Sequence, residues 1–346
     1  MATNKFAGPT PYNVTPSYPD VDYVFTEYLN NVMTKDNGRP TVAPVVGAIF
    51  GLGRAGSIHL SNIINNPRII LKYIVDDCVE RFNELKKYWK LSDDVTFITS
   101  KDSEKVYKDK SVNVVFICSP TFTHHNIVVN SIANNKDVFC EKPIAESSED
   151  TFKCYQAAKS KGKTLFSAFN RRFDPAYRSL KERVREGTVG HVQILKVTAR
   201  DSPLPSIDYL KTSGGVYHDC LVHDIDMACW VLGELPIRVQ SSATALIYSE
   251  TRVENEKPCP SLESYLGHEG VKTNPIFYSF PSRYKAAYKY EVEHFLDVVQ
   301  FGDKPEVTSW QTLAVSKIAN AAEQSARTGK TIDIDWSKDD IPAIYS

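Results

Sequence analysis

From Val42 onward the chain falls into short apolar, β-branched runs separated by stretches of helical periodicity. VAPVVGAIF at 42–50 predicts a buried parallel strand, because a strand covered on both faces reads as a continuous apolar run. IILKYIV at 69–75, NVVFIC at 113–118, DVFC at 137–140 and residues 164–168 repeat that signature. Helical segments fall between them, ending near Asn65 and spanning about 79–90, 124–135 and 148–161. Strands alternating with helices predict an α/β fold with a doubly wound parallel sheet.

Beyond Asn170 the order changes. The pattern predicts a helix over 175–186, a strand over 191–200, a long helix from near Val216 and strand character within 236–248. Tyr284, Tyr288, Val292, Phe295 and Val299 make one apolar stripe of a helix over 284–301. A last helix is expected over 310–327, capped by Thr308 or Ser309 and ended by Gly329. No internal repeat is visible. Residues 1–41 are richer in proline and polar residues, with one short helix-capable stretch after Pro19 and turn formers at 36–40 that read as a linker.

Composition narrows the class without deciding the function. The 346 residues are 42% hydrophobic and 24% charged, ordinary for a globular protein. A net charge of −1 gives no basis for a nucleic-acid or acidic-membrane partner. The seven cysteines (78, 118, 140, 154, 220, 229 and 259) are odd in number and never spaced CxxC. That pattern argues against a disulfide framework or a zinc ribbon and suits a reducing compartment. The N-terminus lacks the pattern of a secretory signal, and no apolar run approaches the ~20 residues of a membrane helix. A cytoplasmic location is expected, and the sequon at Asn13 is expected to be silent.

The first chemical signal is Gly51-Leu52-Gly53-Arg54-Ala55-Gly56, a GxGxxG turn between a predicted strand and a predicted helix. In that context Gly51 makes the tight turn, Gly53 lets a pyrophosphate approach the backbone, and Gly56 lets helix and strand pack closely. Asp76 follows twenty residues after Gly56, where a carboxylate binds a ribose 2′-hydroxyl. The plainer alternative makes Asp76 and Asp77 the start of the next helix. A carboxylate at 76 repels a 2′-phosphate, favouring NAD; Arg81 keeps NADP as the alternative.

The second signal is GGVYHDCLVHDID at 214–226, three aspartates and two histidines in an apolar run. In one helix, Asp219 and His223 are spaced i, i+4 and share a face. His218 and Asp224 fall off that face and read as structural or solvent-facing; Asp226, one turn on, reads as a tie to neighbouring elements. The pairs His218-Asp219 and His223-Asp224 resemble metal ligands, yet the eight histidines form no second cluster to complete a set. No metal is expected.

Three further motifs arrive in order: Ser119-Pro120-Thr121-Phe122-Thr123-His124, Glu141-Lys142-Pro143 and Asn170-Arg171-Arg172-Phe173-Asp174-Pro175. With Ser213-Gly214-Gly215 and the aspartate/histidine helix, the chain resembles the glucose–fructose oxidoreductase/inositol dehydrogenase/MocA (Gfo/Idh/MocA) family, closest to its inositol 2-dehydrogenase branch. The resemblance implies a Rossmann domain at 42–168 and an α/β domain with a mostly antiparallel sheet at 169–334, between an extension at 1–41 and a tail at 335–346. It implies that the last long helix packs back toward the Rossmann domain, and that a nicotinamide cofactor lies between the domains. Lys142 matches the family's active-site lysine, and Asp219 and His223 its aspartate and histidine. Ser119, Pro120, Thr121 and His124 match the nicotinamide-side loop; Arg54, Ala55, Glu141, Lys142 and Arg171 complete the cofactor side.

Such a site suits oxidation of a secondary alcohol. The cofactor takes the hydride, so the protein supplies position and proton removal. A histidine of near-neutral pKa suits the base, Lys142 stabilises alkoxide character, and Asp219 orients the imidazole or binds a substrate hydroxyl. In the bland reading Lys142 is a surface lysine, and His223 and Asp219 are a hydrogen-bonded core pair.

The chain departs from the family over 241–270. One strand, ATALIY, leads almost at once into ENEKPCP, where inositol-type relatives run through several more strands. Three or four strands with turns would be roughly forty residues. Their loss shortens the sheet through which relatives associate, removes substrate contacts and could expose apolar surface. The leading expectation is an NAD-dependent dehydrogenase for a small cyclic polyol, myo-inositol or related. The alternatives are an NAD(H)-binding protein without turnover, or an NADP-linked sugar or dihydrodiol dehydrogenase.

Overall fold

The apolar runs become the strands of one parallel sheet. The computed structural model describes residues 40–199, 207, 210, 213–244, 263–265, 271–273 and 279–337. Contacts divide the chain between Ala43 and Pro44, and every element below lies in the second unit. Strands β1 (Val45–Phe50), β2 (Ile69–Val75), β3 (Thr96–Ile98), β4 (Val114–Ile117), β5 (Asp137–Glu141) and β6 (Leu165–Ala168) pair in the order β3-β2-β1-β4-β5-β6. All five pairings are parallel. Helices α1 (Arg54–Ile64), α2 (Phe82–Tyr88), α3 (Glu104–Lys108), α4 (Thr121–Ala133) and α5 (Ser148–Lys161) make the crossovers. The strand order reverses between β1 and β4, the place where such sheets bind ligands beyond their carboxyl ends.

The strands are apolar throughout because both faces are covered. On one face Ile49, Phe116, Phe139 and Phe166 are buried; on the other, Ala48, Val115, Ile117 and Val138. Phe139 stacks on Phe166 at 5.4 Å, and Phe295 meets the edges of Phe116, Phe139 and Phe166 at 5.5–5.7 Å. A fully buried phenylalanine stabilises the fold by about 1.5–3 kcal/mol. Phe295 therefore ties its own helix firmly to the sheet.

After the sheet come helices α6 (Pro175–Arg185), α7 (Val216–Asp219), α8 (Leu221–Leu232), α9 (Phe280–Arg283), α10 (Lys285–Phe301) and α11 (Ser309–Thr328). Asp174 caps α6, accepting from the Ala176 and Tyr177 amides. Thr308 caps α11 in a reciprocal box with Gln311, and Gly329 ends it in the left-handed conformation. α10 lays Val292, Phe295 and Leu296 into the sheet core beside Leu60 and Ile63. Tyr155 of α5 donates to Thr312 of α11 at 3.1 Å.

Antiparallel pairing among the described residues is confined to two small pieces. β7 (Arg238–Val239) pairs with β10 (Ile332–Asp333), and β8 (Glu263–Tyr265) with β9 (Val271–Thr273). Three expectations need correction. The strand predicted over 191–200 does not form: 191–199 carries no strand, and Ile194 is 86% exposed. A strand exists only where a partner supplies the ladder, so an alternating pattern by itself is insufficient. The strand within 236–248 shrinks to Arg238–Val239, with 245–248 outside the described residues, as are the predicted stretches in 1–39. The long helix from Val216 is two helices that meet at Cys220. No helix of the described residues is long and apolar enough to cross a membrane.

Candidate active site

The glycine turn joins β1 to α1. Gly51 has φ +85°, and a Cβ there would stand 2.6 Å from the Ser119 Cα; one on Gly56 would stand 2.0 Å from the Gly51 carbonyl oxygen. Only glycine fits either position. Gly53 differs, since a Cβ there meets nothing within 4 Å. The space over Gly53 is therefore open, and no side chain caps α1. The first amides of that helix face a site suited to an anion.

Asp76 stands at the end of β2 and holds this turn. Its Oδ2 accepts from the Leu52 amide at 2.7 Å and its Oδ1 from the Cys78 amide at 2.9 Å. This side chain starts the next turn and fixes a carboxylate beside the glycine loop. Asp77 instead accepts from the Ser100 amide at 2.7 Å. Arg81 is exposed on a short 3-10 turn, Val79–Arg81. The Arg54 guanidinium lies 4.7 Å over the Phe280 ring, and Ala55 is half-buried in the first turn of α1.

The loop after β4 is tied to the corner after β5. Ser119 and Thr123 share a hydroxyl hydrogen bond of 2.6 Å, with Pro120 exposed and Thr121 opening α4. His124 corrects an expectation, because its ring is 1% exposed and does not line the loop. Its Nδ1 lies 2.7 Å from the Pro143 carbonyl and its Nε2 2.8 Å from the Ser119 carbonyl. Burial pushes its pKa down against the pull of those carbonyls. His124 is a clamp between the two loops.

Lys142 follows β5 at the carboxyl end of the sheet. Its Nζ donates to the Asp219 backbone oxygen at 2.5 Å and to Oδ1 at 3.0 Å, with 11% of the lysine side chain exposed. The helix break explains this contact. In an unbroken helix the His223 amide would bond to the Asp219 carbonyl; here it turns to the Cys220 carbonyl at 3.2 Å, and the Asp219 carbonyl accepts from the lysine. Asp219 and His223 thus close α7 and open α8 instead of stacking one turn apart.

His223 is half-buried with its Nδ1 sealed and unpartnered among the described residues. Burial, then Lys142, then Arg171 hold its pKa well below the ordinary histidine value, so the ring is neutral. The bland reading of a hydrogen-bonded Asp219–His223 pair does not describe these contacts: the carboxylate is on Lys142, and the neutral imidazole has no partner at Nδ1 among the described residues.

The other charges of 214–226 are structural. Asp224 is buried against Arg171, whose guanidinium also lies 5.5 Å over the Tyr284 ring. Arg171 is thus committed to an internal pair at the edge of the site. Asp226 bonds to Arg172 through Nε and Nη2, and Arg172 also reaches the Glu306 carbonyl and Gln311. His218 faces Glu323 at 3.1 Å. Among the described residues no group of three or more histidine, cysteine or acidic side chains could hold a metal.

Sequence reasoning did not single out His59 or Glu291, and it read Tyr288 only as part of an apolar stripe. Glu141, expected on the cofactor side, has Oε1 2.7 Å from His59 Nε2, beneath the glycine turn. The available signal was a glutamate inside the apolar stripe of α10, three residues after Tyr288.

An open glycine cradle, an uncapped helix start and a carboxylate at the end of β2 fit a dinucleotide. With a lysine, an aspartate and a neutral histidine beyond the same sheet edge, they define the class of nicotinamide-linked oxidoreductases. The chain belongs to the Gfo/Idh/MocA oxidoreductase family. The profile described as "Oxidoreductase family, NAD-binding Rossmann fold" matches residues 46–169, and that of the GFO/IDH/MocA C-terminal domain matches 177–259. It is an NAD-binding enzyme whose relatives act on CH–OH groups.

The uncharacterized oxidoreductase YrbE of Bacillus subtilis is 30% identical over 340 residues, covering 85% of this chain and 98% of that one. The myo-inositol 2-dehydrogenase of Thermotoga maritima is 28% identical over 331, covering 83% and 98%. A solved myo-inositol dehydrogenase of Corynebacterium glutamicum shares the fold, with a TM-score of 0.70 at 24% identity over 84% of this chain and 99% of that one. The alignment with YrbE is 340 positions long but takes in only 85% of 346 residues, about 294, so about 46 positions face a gap in this chain.

Proposed function

We propose that this protein oxidises a secondary hydroxyl of a cyclic polyol, myo-inositol or a close relative, to the ketone with NAD. The observation that carries the reading is the Lys142–Asp219 pair, 3.0 Å apart at the carboxyl end of β5, with the neutral His223 beside it. The inositol dehydrogenases among its relatives support the substrate class.

When bound, NAD supplies the hydride acceptor. The glycine turn and the start of α1 hold its pyrophosphate, and Asp76 its ribose. Asp219 fixes the Lys142 ammonium in the site, where it stabilises negative charge developing on the substrate oxygen. His223, held neutral, takes the hydroxyl proton. Arg171 and Asp224 wall the site without meeting the reacting atoms.

The test is NAD reduction by the purified protein across a panel of inositols and sugars. Lys142→Ala and His223→Ala should each lower kcat/KM about 10²–10⁴-fold. Absence of turnover on every polyol and sugar with either cofactor refutes the proposal. A second reading, NAD(H) binding without turnover, is favoured by the alignment gap. It expects NAD to raise the melting temperature with no product formed.

A further inference from the structure

Helix α10 carries a carboxyl that this chemistry does not use. Glu291 lies within the stripe packed on the sheet and is 0% exposed, and neither of its oxygens has a hydrogen-bond partner among the described residues. His59 of α1 is also 0% exposed, and its Nδ1 is likewise unpartnered. Its Nε2 lies 2.7 Å from Glu141 Oε1. Tyr288, one turn before Glu291, meets the His59 ring edge-on at 5.4 Å.

These groups complement one another. A sealed carboxylate without a partner is strongly disfavoured, and burial together with Glu141 pushes the Glu291 carboxyl well above the usual range. Glu291 therefore holds a proton and is a donor. The His59 nitrogen facing the Glu141 carboxylate holds the imidazole proton, which leaves Nδ1 as an acceptor. One donor without an acceptor and one acceptor without a donor thus lie under the glycine turn. The other titratable groups facing this region are Cys118 from the end of β4 and Tyr288; Arg54 and Arg171 act on it from its rim.

We propose that Glu291 is a positioning residue whose carboxyl closes a buried hydrogen-bond chain through His59 to Glu141, by a rotamer change or through one interior water, fixing the corner that presents Lys142. Glu141 immediately precedes Lys142, so a carboxylate held from behind by His59 sets the direction in which the lysine leaves β5. The chain of hydrogen bonds rests on the burial of Glu291 and His59 and on the His59–Glu141 contact. Its consequence for turnover rests on the dehydrogenase reading.

The test compares Glu291→Gln, which keeps a donor, with Glu291→Met, which keeps the volume and removes it. Nitrogen NMR of ring-labelled histidine, with His59 assigned by its loss in His59→Gln, should show the Nε2–H tautomer and a hydrogen-bonded Nδ1. That signal should persist in Glu291→Gln and move in Glu291→Met. Glu291→Met should melt about 2–4 °C lower and lose about tenfold in kcat with KM for NAD within about twofold; Glu291→Gln should recover both. A Glu291→Met variant that melts higher than the parent with an unmoved His59 signal, or keeps full kcat, overturns the proposal. So does an Nδ1–H tautomer in the parent protein, which decides the matter even if Glu291→Met fails to fold. Failure of every polyol in the panel refutes the dehydrogenase reading and leaves the His59 signal to judge this one.

Discussion

Asp76 holds the glycine turn with the carboxylate proposed to bind the cofactor ribose. Its two oxygens anchor the Leu52 and Cys78 amides, so its position is fixed before any ligand arrives. A negative charge held there opposes a 2′-phosphate. Asp76→Asn keeps an acceptor for the turn and removes the charge. It should shift the ratio of kcat/KM for NADP over NAD upward about tenfold or more, with exposed Arg81 near at hand for the added phosphate. An unchanged ratio would place the ribose elsewhere.

The histidines set the pH response of stability. His223, His124 and His294 all have pKa values pushed down, in each case chiefly by burial. Unfolded, each takes up a proton as pH falls through about 6.5; folded, each resists until lower pH. The unfolded chain then binds more protons, so stability is full above about pH 6.5 and falls as pH drops below it. The melting temperature should decline from about pH 6.5 toward pH 5, where the three histidines outweigh the opposite slope set by protonated Glu291. A melting temperature that rises on acidification would contradict the neutral state assigned to His223, and with it the proposed base.

Most elements were legible because their signals are local. The strand Ile69–Val75 and the helix Ser148–Lys161 form where the patterns place them, as does the Thr308 cap. β3 was not foreseen, because three residues at a sheet edge carry too little pattern and gain their conformation from pairing with β2. The segment 191–199 shows the converse, a strand-like pattern that takes no strand conformation among the described residues. The glycine turn is the most constrained element. Gly56→Ala would drive a methyl into the Gly51 carbonyl and force the turn away from α1. A loss of about 1–3 kcal/mol in stability is expected, together with weaker NADH binding by fluorescence titration. Gly53→Ala, which meets no protein atom, should leave stability within about 0.5 kcal/mol and weaken NADH binding alone.

The helix break at Cys220 had no clear sequence signal. GVYHDCLVHDID reads as a continuous amphipathic helix, and only the approach of Lys142 to the Asp219 carbonyl gives the interruption a purpose. Sequence reasoning placed Asp219 and His223 on one helix, and the break gives the Asp219 carbonyl to Lys142 instead.

At the scale of the molecule, Arg172 ties the second half of the chain to the sheet. It is 1% exposed and bonds to Asp226 on α8, to the Glu306 carbonyl and to Gln311 on α11. Asp226→Ala leaves that guanidinium buried without its carboxylate, a change expected to cost about 3–5 kcal/mol. Denaturant unfolding should register that loss. If Arg172 is the tie described, thermal stabilisation by NAD should weaken in parallel, because α8 also carries His223. A variant as stable as the parent would show that the Arg172 network is dispensable.

The sequence by itself determined the parallel sheet and the glycine cradle with its acidic neighbour, and it singled out Lys142, Asp219 and His223 as candidates. Those features depend on local pattern and on short motifs whose spacing is set by one turn or one strand. Only the tertiary structure decided how they act. Burial among Lys142 and Arg171 keeps His223 neutral, and packing of α10 against α1 seals Glu291 beneath the turn. A broken helix hands the Asp219 carbonyl to a lysine 77 residues away. Burial, charge proximity and long-range hydrogen bonds arise between segments distant in sequence, and no local pattern encodes them.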